Sequence, residues 1–163
     1  KPFNEIDEEW WDYMMDLSLK GYFFACQKAS KEMVKRGTKG SLICISSVHS
    51  FRAAENWTPY GIAKIGVRRM VKGLAADLAN TGINSNCIAP GAINNTIPED
   101  DKVEPEAMDM PWVPSGRQGL PSDISNAVIF LSSKMGEYVN GETILVDGGL
   151  IATGLGDGRP DGK

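Results

Sequence analysis

The sequence predicts an α/β protein built on a parallel sheet, and three observations support this class. Helical and strand-like segments alternate along the chain. The strand-like segment SLICIS (41–46) is a short, nearly unbroken apolar run, which is typical of a strand buried on both faces. The helical segments between the strand-like segments are long enough to serve as crossover connections. The expected order is helix, strand, helix, strand, loop, helix, strand.

The first half of the chain supplies a long helix, a strand and a second long helix. Apolar residues recur every three or four positions over 7–36, where Asp7 stands at the start and Gly37 follows the end. This pattern predicts one continuous helix. Residues 41–46 (SLICIS) form an apolar run that predicts a buried strand, and helical periodicity returns over 58–80.

The second half begins with another strand and a long loop. Residues 82–90 (GINSNCIAP) predict a strand that closes on Pro-Gly. Residues 92–120 are rich in proline, glycine and acidic residues, which predicts a loop with at most one short helix. Loops of this length are often functional, so we expect a substrate lid here.

The last elements are a helix, a strand and a tail. Residues 121–133 predict a helix with Ser122 as its N-cap, and 142–149 (ETILVDGG) predict the third strand. The Gly- and Asp-rich tail over 151–163 is expected to be disordered or a docked extension.

Composition favours an ordinary soluble protein. Of 163 residues, 42% are apolar and 23% are charged, and the net charge of −4 argues against a nucleic-acid or anionic-membrane partner. Cys26, Cys44 and Cys87 lie far apart in apolar runs, which predicts buried reduced thiols rather than a metal site or a disulfide. No apolar stretch approaches the roughly 20 residues of a membrane span, and no signal peptide is visible, so a cytoplasmic location is expected.

Polar and turn residues follow each predicted strand. In parallel α/β sheets, ligands bind outside the carboxyl ends of the strands. The residues just past those ends are therefore expected to meet at one edge; they are Ser46, Ser47, His49, Pro90, Gly91 and Asp147.

Tyr60 and Lys64 stand four residues apart at the start of a predicted helix and so share a face. An adjacent ammonium favours the phenolate form of a tyrosine, which can then remove or donate an alcohol proton. The same spacing is common on exposed helices, and the pair alone would favour that reading. Ser47, thirteen residues before Tyr60 at a strand end, makes an active site the better interpretation, because its hydroxyl could bond the same substrate oxygen.

With these residues in place, the sequence resembles the short-chain dehydrogenase/reductase family. "GSLICISS" followed by "YGIAK" is similar to its serine and Y-x-x-x-K motifs, and "WDYMMDLSLKG" to its fourth helix. "GINSNCIAPGAI" and "SGRQGLPSDISNAVIFLSS…YVNGETILVDGG" resemble its later segments. The resemblance covers about residues 3–150. It implies that 1–150 form the C-terminal three-fifths of one Rossmann-like, doubly wound, dinucleotide-binding domain.

The resemblance also assigns roles to the predicted site. Ser47 would polarise the substrate oxygen, Tyr60 would act as general acid and base, and Lys64 would assist Tyr60 and hold the nicotinamide ribose. The implied activity is an NAD- or NADP-dependent interconversion of a secondary alcohol and a carbonyl.

Two positions depart from the family pattern. Ser18 stands where the family usually has an asparagine that helps to hold a water relay to the lysine. Asn95 stands where threonine is common, after the Pro90-Gly91 and Ile93 backbone that would meet the nicotinamide carboxamide. Ser18 is thus expected to affect turnover, and Asn95 to affect cofactor contact.

A third departure concerns the cofactor's phosphates. The Gly-rich strand-to-helix turn, the residue that selects NAD or NADP and the N-N-A-G strand of the family do not occur in the 163 residues. The strand over 41–46 would then keep one unpaired edge. The rival interpretation is therefore a truncated, non-catalytic remnant that keeps the scaffold and its oligomer surfaces but binds no dinucleotide.

The substrate is expected to be a small alcohol or carbonyl. "ISSVHS" and "PGAIN" resemble the glucose 1-dehydrogenase branch, in which the histidine lines a sugar pocket. His49 could instead face solvent, and Trp57 could stack on a sugar or cap the core. A sugar or polyol is the leading hypothesis, and a 3-oxoacyl thioester or a steroid are alternatives. By analogy with the family, a homotetramer or dimer is expected through helices 7–36 and 58–80 and the last strand.

Overall fold

Three parallel strands form the sheet of this computed structural model, which describes residues 1–96 and 105–153. They lie side by side in the order β1 (Gly40–Ile45), β2 (Ile83–Pro90) and β3 (Thr143–Val146). The predicted α/β class and the three predicted strands are confirmed. β3 is shorter than the predicted 142–149, because Gly148 and Gly149 adopt left-handed φ angles of 62° and 87° and turn the chain out of the strand.

The helix predicted over 7–36 is interrupted, and the prediction of one continuous helix was wrong at this point. It consists of α1 (Glu8–Met15), a π turn (Asp16–Lys20) and α2 (Gly21–Arg36). The N–H of Gly21 donates to the carbonyl of Asp16, five residues back, which inserts one residue into the helical repeat. Apolar spacings of three and four residues do not reveal such an insertion.

Both ends of this helical stretch are those that the sequence predicts. The carboxylate of Asp7 accepts a hydrogen bond from the backbone N–H of Trp10 (2.7 Å) and caps the first turn. Gly37 follows the last turn with φ of 64°, the left-handed conformation of a helix C-cap.

Two further helices complete the layers, α3 (Thr58–Asp77) and α4 (Pro121–Ser132). The prediction of Ser122 as the N-cap of α4 was wrong, because Leu120 holds that position. The carboxylate of Asp123 accepts from the Leu120 N–H (2.8 Å) and is itself held by Arg117 through two contacts of 2.8 and 3.0 Å. Pro121 occupies the first turn, where its missing N–H costs nothing.

Helices cover both faces of the sheet, as a doubly wound arrangement requires. On one face, apolar side chains of β1 and β2 pack with α2 and α3 in a core formed by Cys26, Leu42, Cys44, Val67, Val71, Ile83 and Cys87. On the other face, the Ser41 hydroxyl of β1 donates to the carbonyl of Leu131 in α4 (2.9 Å). Alternate residues of β1 therefore pack against the helices on opposite faces of the sheet.

The predicted lid over 92–120 is described only in part, since residues 97–104 lie outside the described residues, as does the tail from 154 to 163. The described parts of the lid segment contain isolated bridges, Ile93 to Gly119 and Asp109 to Arg117, but no helix. Within residues 1–96 and 105–153, no helix is both long and apolar enough to cross a membrane.

Candidate active site

The carboxyl ends of the three strands meet at one edge of the sheet, as the sequence predicts. The N–H of Ser46, just past β1, donates to a β2 carbonyl (2.7 Å). The N–H of Gly91, which follows Pro90 at the end of β2, donates to Val146 in β3 (3.0 Å). A Cβ on Gly91 would lie 2.7 Å from the Cα of Asp147, so the two strand ends approach too closely for any side chain there.

Ser47 is held with its hydroxyl at this edge by a compact hydrogen-bond network. Its Oγ accepts from the backbone N–H of His49 (3.2 Å), and its carbonyl accepts from the hydroxyl of Ser50 (2.6 Å). The hydroxyl of Ser46 donates to the carbonyl of Lys64 (3.0 Å) and lies 3.2 Å from the Ser50 oxygen. Because the Ser47 oxygen acts as an acceptor within the protein, its proton can be donated to a ligand.

Tyr60 and Lys64 lie one turn apart near the start of α3. The Lys64 side chain is buried, with 7% relative exposure, and its Nζ lies 5.5 Å from the centre of the Tyr60 ring. The ammonium donates to the carbonyl of Ile45, the last residue of β1 (3.0 Å). Burial lowers the pKa of Lys64, since it disfavours the charged form. The structure thus brings the predicted phenol and ammonium together beside the end of β1.

Sequence reasoning missed Tyr22 on α2. The Lys64 Nζ lies 4.9 Å from the centre of the Tyr22 ring, closer than it lies to the Tyr60 ring. One signal could have found it: Tyr22 follows Ser18 by four residues and would share its helix face.

His49 is partly buried and packs against two aromatic rings. Its imidazole stacks on the indole of Trp57, with ring centres 4.9 Å apart, and lies edge-on to the Tyr60 ring at 5.8 Å. Burial, and secondarily the charge of Arg52, lower the pKa of His49, which favours its neutral form. Its Nδ1 is buried without a hydrogen-bond partner among the described residues. Trp57 remains 49% exposed and also lies edge-on to Tyr60, at 5.3 Å.

Ser18 lies in the π turn and is buried. Its hydroxyl donates to the sulfur of Met14 (3.5 Å), four residues earlier in the same helix. The π turn packs on α3, where a Cβ on Gly66 would lie 2.7 Å from the Leu19 side chain. Ser18 is therefore near the helix that carries Lys64, with its hydroxyl bonded within its own helix.

In the segment after β2, the backbone groups of Ile93 have no hydrogen-bond partner among the described residues. The carbonyl of Ala92 accepts from the N–H of Gly119 (2.9 Å), and the N–H of Asn94 donates to the carbonyl of Gly119 (2.8 Å). In this parallel bridge, the N–H and C=O of Ile93 itself point to the opposite side. The side chain of Asn94 is buried, whereas the predicted contact residue Asn95 is exposed.

Comparisons with known proteins agree with this geometry. A family model described as "Enoyl-(Acyl carrier protein) reductase" matches residues 1–151. The chain is 40% identical over 152 residues to 2-dehydro-3-deoxy-D-gluconate 5-dehydrogenase of Escherichia coli (strain K12), covering 91% of this chain and 59% of that protein. It is 40% identical over 153 residues to L-rhamnose-1-dehydrogenase of Scheffersomyces stipitis, covering 93% and 59%. The chain thus spans about three-fifths of the length of these relatives.

A solved structure has the same fold. The crystal structure of a putative 2-deoxy-D-gluconate 3-dehydrogenase from Agrobacterium tumefaciens, with bound NADP, superposes with a TM-score of 0.81 at 38% identity. The superposition covers 93% of this chain and 63% of that one.

Proposed function

The chain belongs to the short-chain dehydrogenase/reductase family, and from this membership we propose that it carries the catalytic part of an NAD(P)-dependent oxidoreductase. The proposed reaction interconverts a secondary alcohol and a carbonyl on a sugar or polyol. The relatives named above are sugar or sugar-acid dehydrogenases, which supports this substrate class.

The observation that carries the proposal is the joint placement of Ser47, Tyr60 and Lys64 at one edge of the sheet. The Ser47 oxygen accepts from the His49 backbone, so its proton can be donated to the substrate oxygen. Tyr60 then takes the alcohol proton in oxidation and returns it in reduction. The ammonium of Lys64, 5.5 Å from the Tyr60 ring centre, stabilises negative charge on the phenol oxygen.

NAD or NADP is the proposed cofactor, and the residues present fit its nicotinamide end. The N–H and C=O of Ile93 point away from Gly119 and are available to a carboxamide. Lys64 donates one bond to Ile45 and has two further N–H groups for ribose hydroxyls. Pro90 and Gly91 set the position of this backbone; Asn95 is proposed as a lesser, exposed contact. When bound, the cofactor accepts or supplies the hydride.

His49 and Trp57 are proposed to contact the substrate. The imidazole is partly buried and lies edge-on to Tyr60, with ring centres 5.8 Å apart. Half of the Trp57 surface is exposed beside the same tyrosine, which suits an indole packed against a sugar ring. The segment over 92–120 is proposed as the substrate lid.

A homo-oligomer, a tetramer or a dimer, is proposed as the working form in the cytoplasm. Large apolar side chains on α1, the π turn and α2 are more than half exposed, among them Tyr13, Leu17 and Phe24. Covering such a surface with a second copy would remove apolar area from water.

The test compares Tyr60→Phe with its parent in protein that contains this chain. Reduced-cofactor absorbance is followed with a panel of sugars and polyols and with NAD and NADP in turn. We expect turnover to fall by about 10²–10⁴-fold, because only the titrating hydroxyl is lost. Tyr138→Phe is the matched control: Tyr138 is fully exposed, and its variant should keep the parent's rate.

Turnover by Tyr60→Phe within about tenfold of the parent would remove the phenol from the mechanism. A parent that oxidises or reduces nothing in the panel, with correct folding verified, would support the alternative of a non-catalytic scaffold.

A further inference from the structure

We infer that Tyr22 is a positioning residue for Lys64: its ring holds the ammonium in place beneath Tyr60. The inference rests on the proposed function, since the position of Lys64 affects chemistry only if Tyr60 transfers the proton. It assigns a role to a residue of α2, a helix that contributes no group to the proposed proton transfer.

The geometry places the ammonium between two phenol rings. Its Nζ lies 4.9 Å from the centre of the Tyr22 ring and 5.5 Å from that of Tyr60. Both distances are within the roughly 6 Å at which a cation is attracted to an aromatic face. The two rings come from different helices, so Tyr22 fixes the ammonium across the packing interface between α2 and α3.

The ammonium needs such a partner because it is buried with little hydrogen bonding. Its one hydrogen bond within the described residues is to the carbonyl of Ile45 (3.0 Å), and no carboxylate of those residues pairs with it. The Tyr22 ring, whose centre lies 4.9 Å away, supplies a second favourable contact to the ammonium.

Among the described residues, the titratable groups near the Lys64 ammonium are two phenols and two thiols, and none is a carboxylic acid. They are Tyr60 on its own helix, Tyr22 on α2, Cys44 on β1 and Cys87 on β2. Burial lowers the pKa of Lys64, and the two thiols act weakly in the opposite direction. Burial also raises the pKa of Tyr22, so this phenol stays neutral and acts on Lys64 through its ring.

The experiment titrates Lys64 directly by NMR in this chain with ¹³C-labelled lysine, and Lys64→Arg identifies the resonance. Tyr22→Leu removes the ring, and the pKa of Lys64 should fall by about half to one unit. Tyr22→Phe keeps the ring and loses only the hydroxyl, so the pKa of Lys64 should remain close to that of the parent. Both thiols are present in all three proteins and cancel in the comparison.

An unchanged Lys64 titration in Tyr22→Leu overturns the inference, and so does an equal fall in Tyr22→Phe, which would assign the effect to the hydroxyl. If Tyr22→Leu does not fold, Tyr22→Met replaces it. In the parent, the Lys64 ε-methylene protons should also show upfield ring-current shifts that Tyr22→Phe preserves; their absence counts against the inference. None of these measurements requires turnover, so they succeed or fail independently of the Tyr60→Phe assay.

Discussion

The imidazole of His49 lies nearly parallel to the indole of Trp57, with an interplanar angle of 14° and ring centres 4.9 Å apart. This stack half-buries the chain's single histidine, and burial is the main cause of its lowered pKa. The folded protein therefore binds a proton at His49 less readily than the unfolded chain does.

The first prediction is that His49 makes stability fall at mildly acidic pH. An unfolded histidine titrates near pH 6.5, and the folded pKa is lower, so the unfolded state binds more protons in this range. The contribution of His49 is full above about pH 6.5 and is lost as pH falls through the folded pKa. His49→Phe keeps a ring against Trp57 but cannot titrate. The free energy of unfolding, measured with urea between pH 7 and 5, should therefore fall more steeply for the parent than for the variant.

The comparison with the variant is necessary because carboxylates such as Asp7, Asp123 and Glu142 also have lowered pKa values. They are common to both proteins and cancel in the difference. Parallel stability curves would contradict the prediction, as would an NMR titration that puts His49 at or above pH 6.5, its ordinary value.

The second prediction concerns Ser50, which positions the backbone of Ser47. Ser50→Ala removes the hydroxyl that donates to the Ser47 carbonyl (2.6 Å), and this carbonyl then keeps the bond from the backbone N–H of residue 50 (3.0 Å). The free energy of unfolding should drop by about 0.5–1.5 kcal/mol, the net value of one hydrogen bond, and turnover should fall with it. Ser125→Ala is the control, since this exposed hydroxyl donates to a carbonyl of its own helix (3.1 Å) and should matter by less than about 0.5 kcal/mol. If chemical denaturation shows equal losses of stability for Ser50→Ala and Ser125→Ala, Ser50 has no special role in positioning Ser47.

The third prediction compares two glycines. A Cβ on Gly91 would meet backbone and side-chain atoms of Asp147 at 2.7 and 2.8 Å, so Gly91→Ala must push the ends of β2 and β3 apart. We expect a loss of about 1–3 kcal/mol. A Cβ on Gly73, within α3, would meet only the Arg69 side chain at 3.5 Å, and Gly73→Ala should stabilise by about 0.5–1 kcal/mol. Thermal unfolding should show midpoints moving in opposite directions.

Periodicity and strand-end residues predicted most of this fold and much of the site. The strands were predicted from short segments bounded by glycine, serine or proline, and Ser47, Tyr60 and Lys64 were proposed as site residues from motif spacing. The π turn was missed because one inserted residue leaves apolar spacing almost unchanged.

Contacts between distant segments were beyond sequence reasoning. The approach of Tyr22 to Lys64 and the stack of His49 on Trp57 depend on how helices and loops pack together in three dimensions. The capping of α4 was wrong for a similar reason, since Arg117 and Asp123 join the preceding loop to the helix start.

The fourth prediction concerns Ser18, where the family usually has asparagine. In the structure the Ser18 hydroxyl donates to the Met14 sulfur (3.5 Å), a weak bond within the same helix. An amide would reach further and could hold the water relay to Lys64 that the family pattern implies. Ser18→Asn should therefore raise turnover without changing the Kd of the cofactor. Met14→Leu is the control, because it removes the sulfur acceptor without adding an amide. An unchanged turnover rate in Ser18→Asn would mean that the serine already holds the water relay as well as an asparagine does.

The last prediction concerns the 163-residue polypeptide by itself. Residues proposed for the nicotinamide end are present, namely Tyr60, Lys64 and Ile93, but the sequence contains no Gly-rich strand-to-helix turn of the kind that binds a pyrophosphate. Much of the affinity for a dinucleotide comes from that turn and the helix N-terminus behind it. Calorimetry on this polypeptide should thus detect no binding of NAD or NADP at millimolar concentration.

The same polypeptide should self-associate. β1 is an edge strand in the described sheet, and Leu17 and Phe24 are 62% and 55% exposed, so both an open strand edge and apolar surface are available for contact. Sedimentation should show dimers or larger species, and Leu17→Lys with Phe24→Lys should shift them toward monomer if the helical surface is responsible. Lys28→Glu, a charge change elsewhere on α2, controls for charge alone. A monomer that binds either cofactor at micromolar concentration would contradict both expectations, because it would mean that the nicotinamide-end residues suffice and that the exposed surface needs no partner.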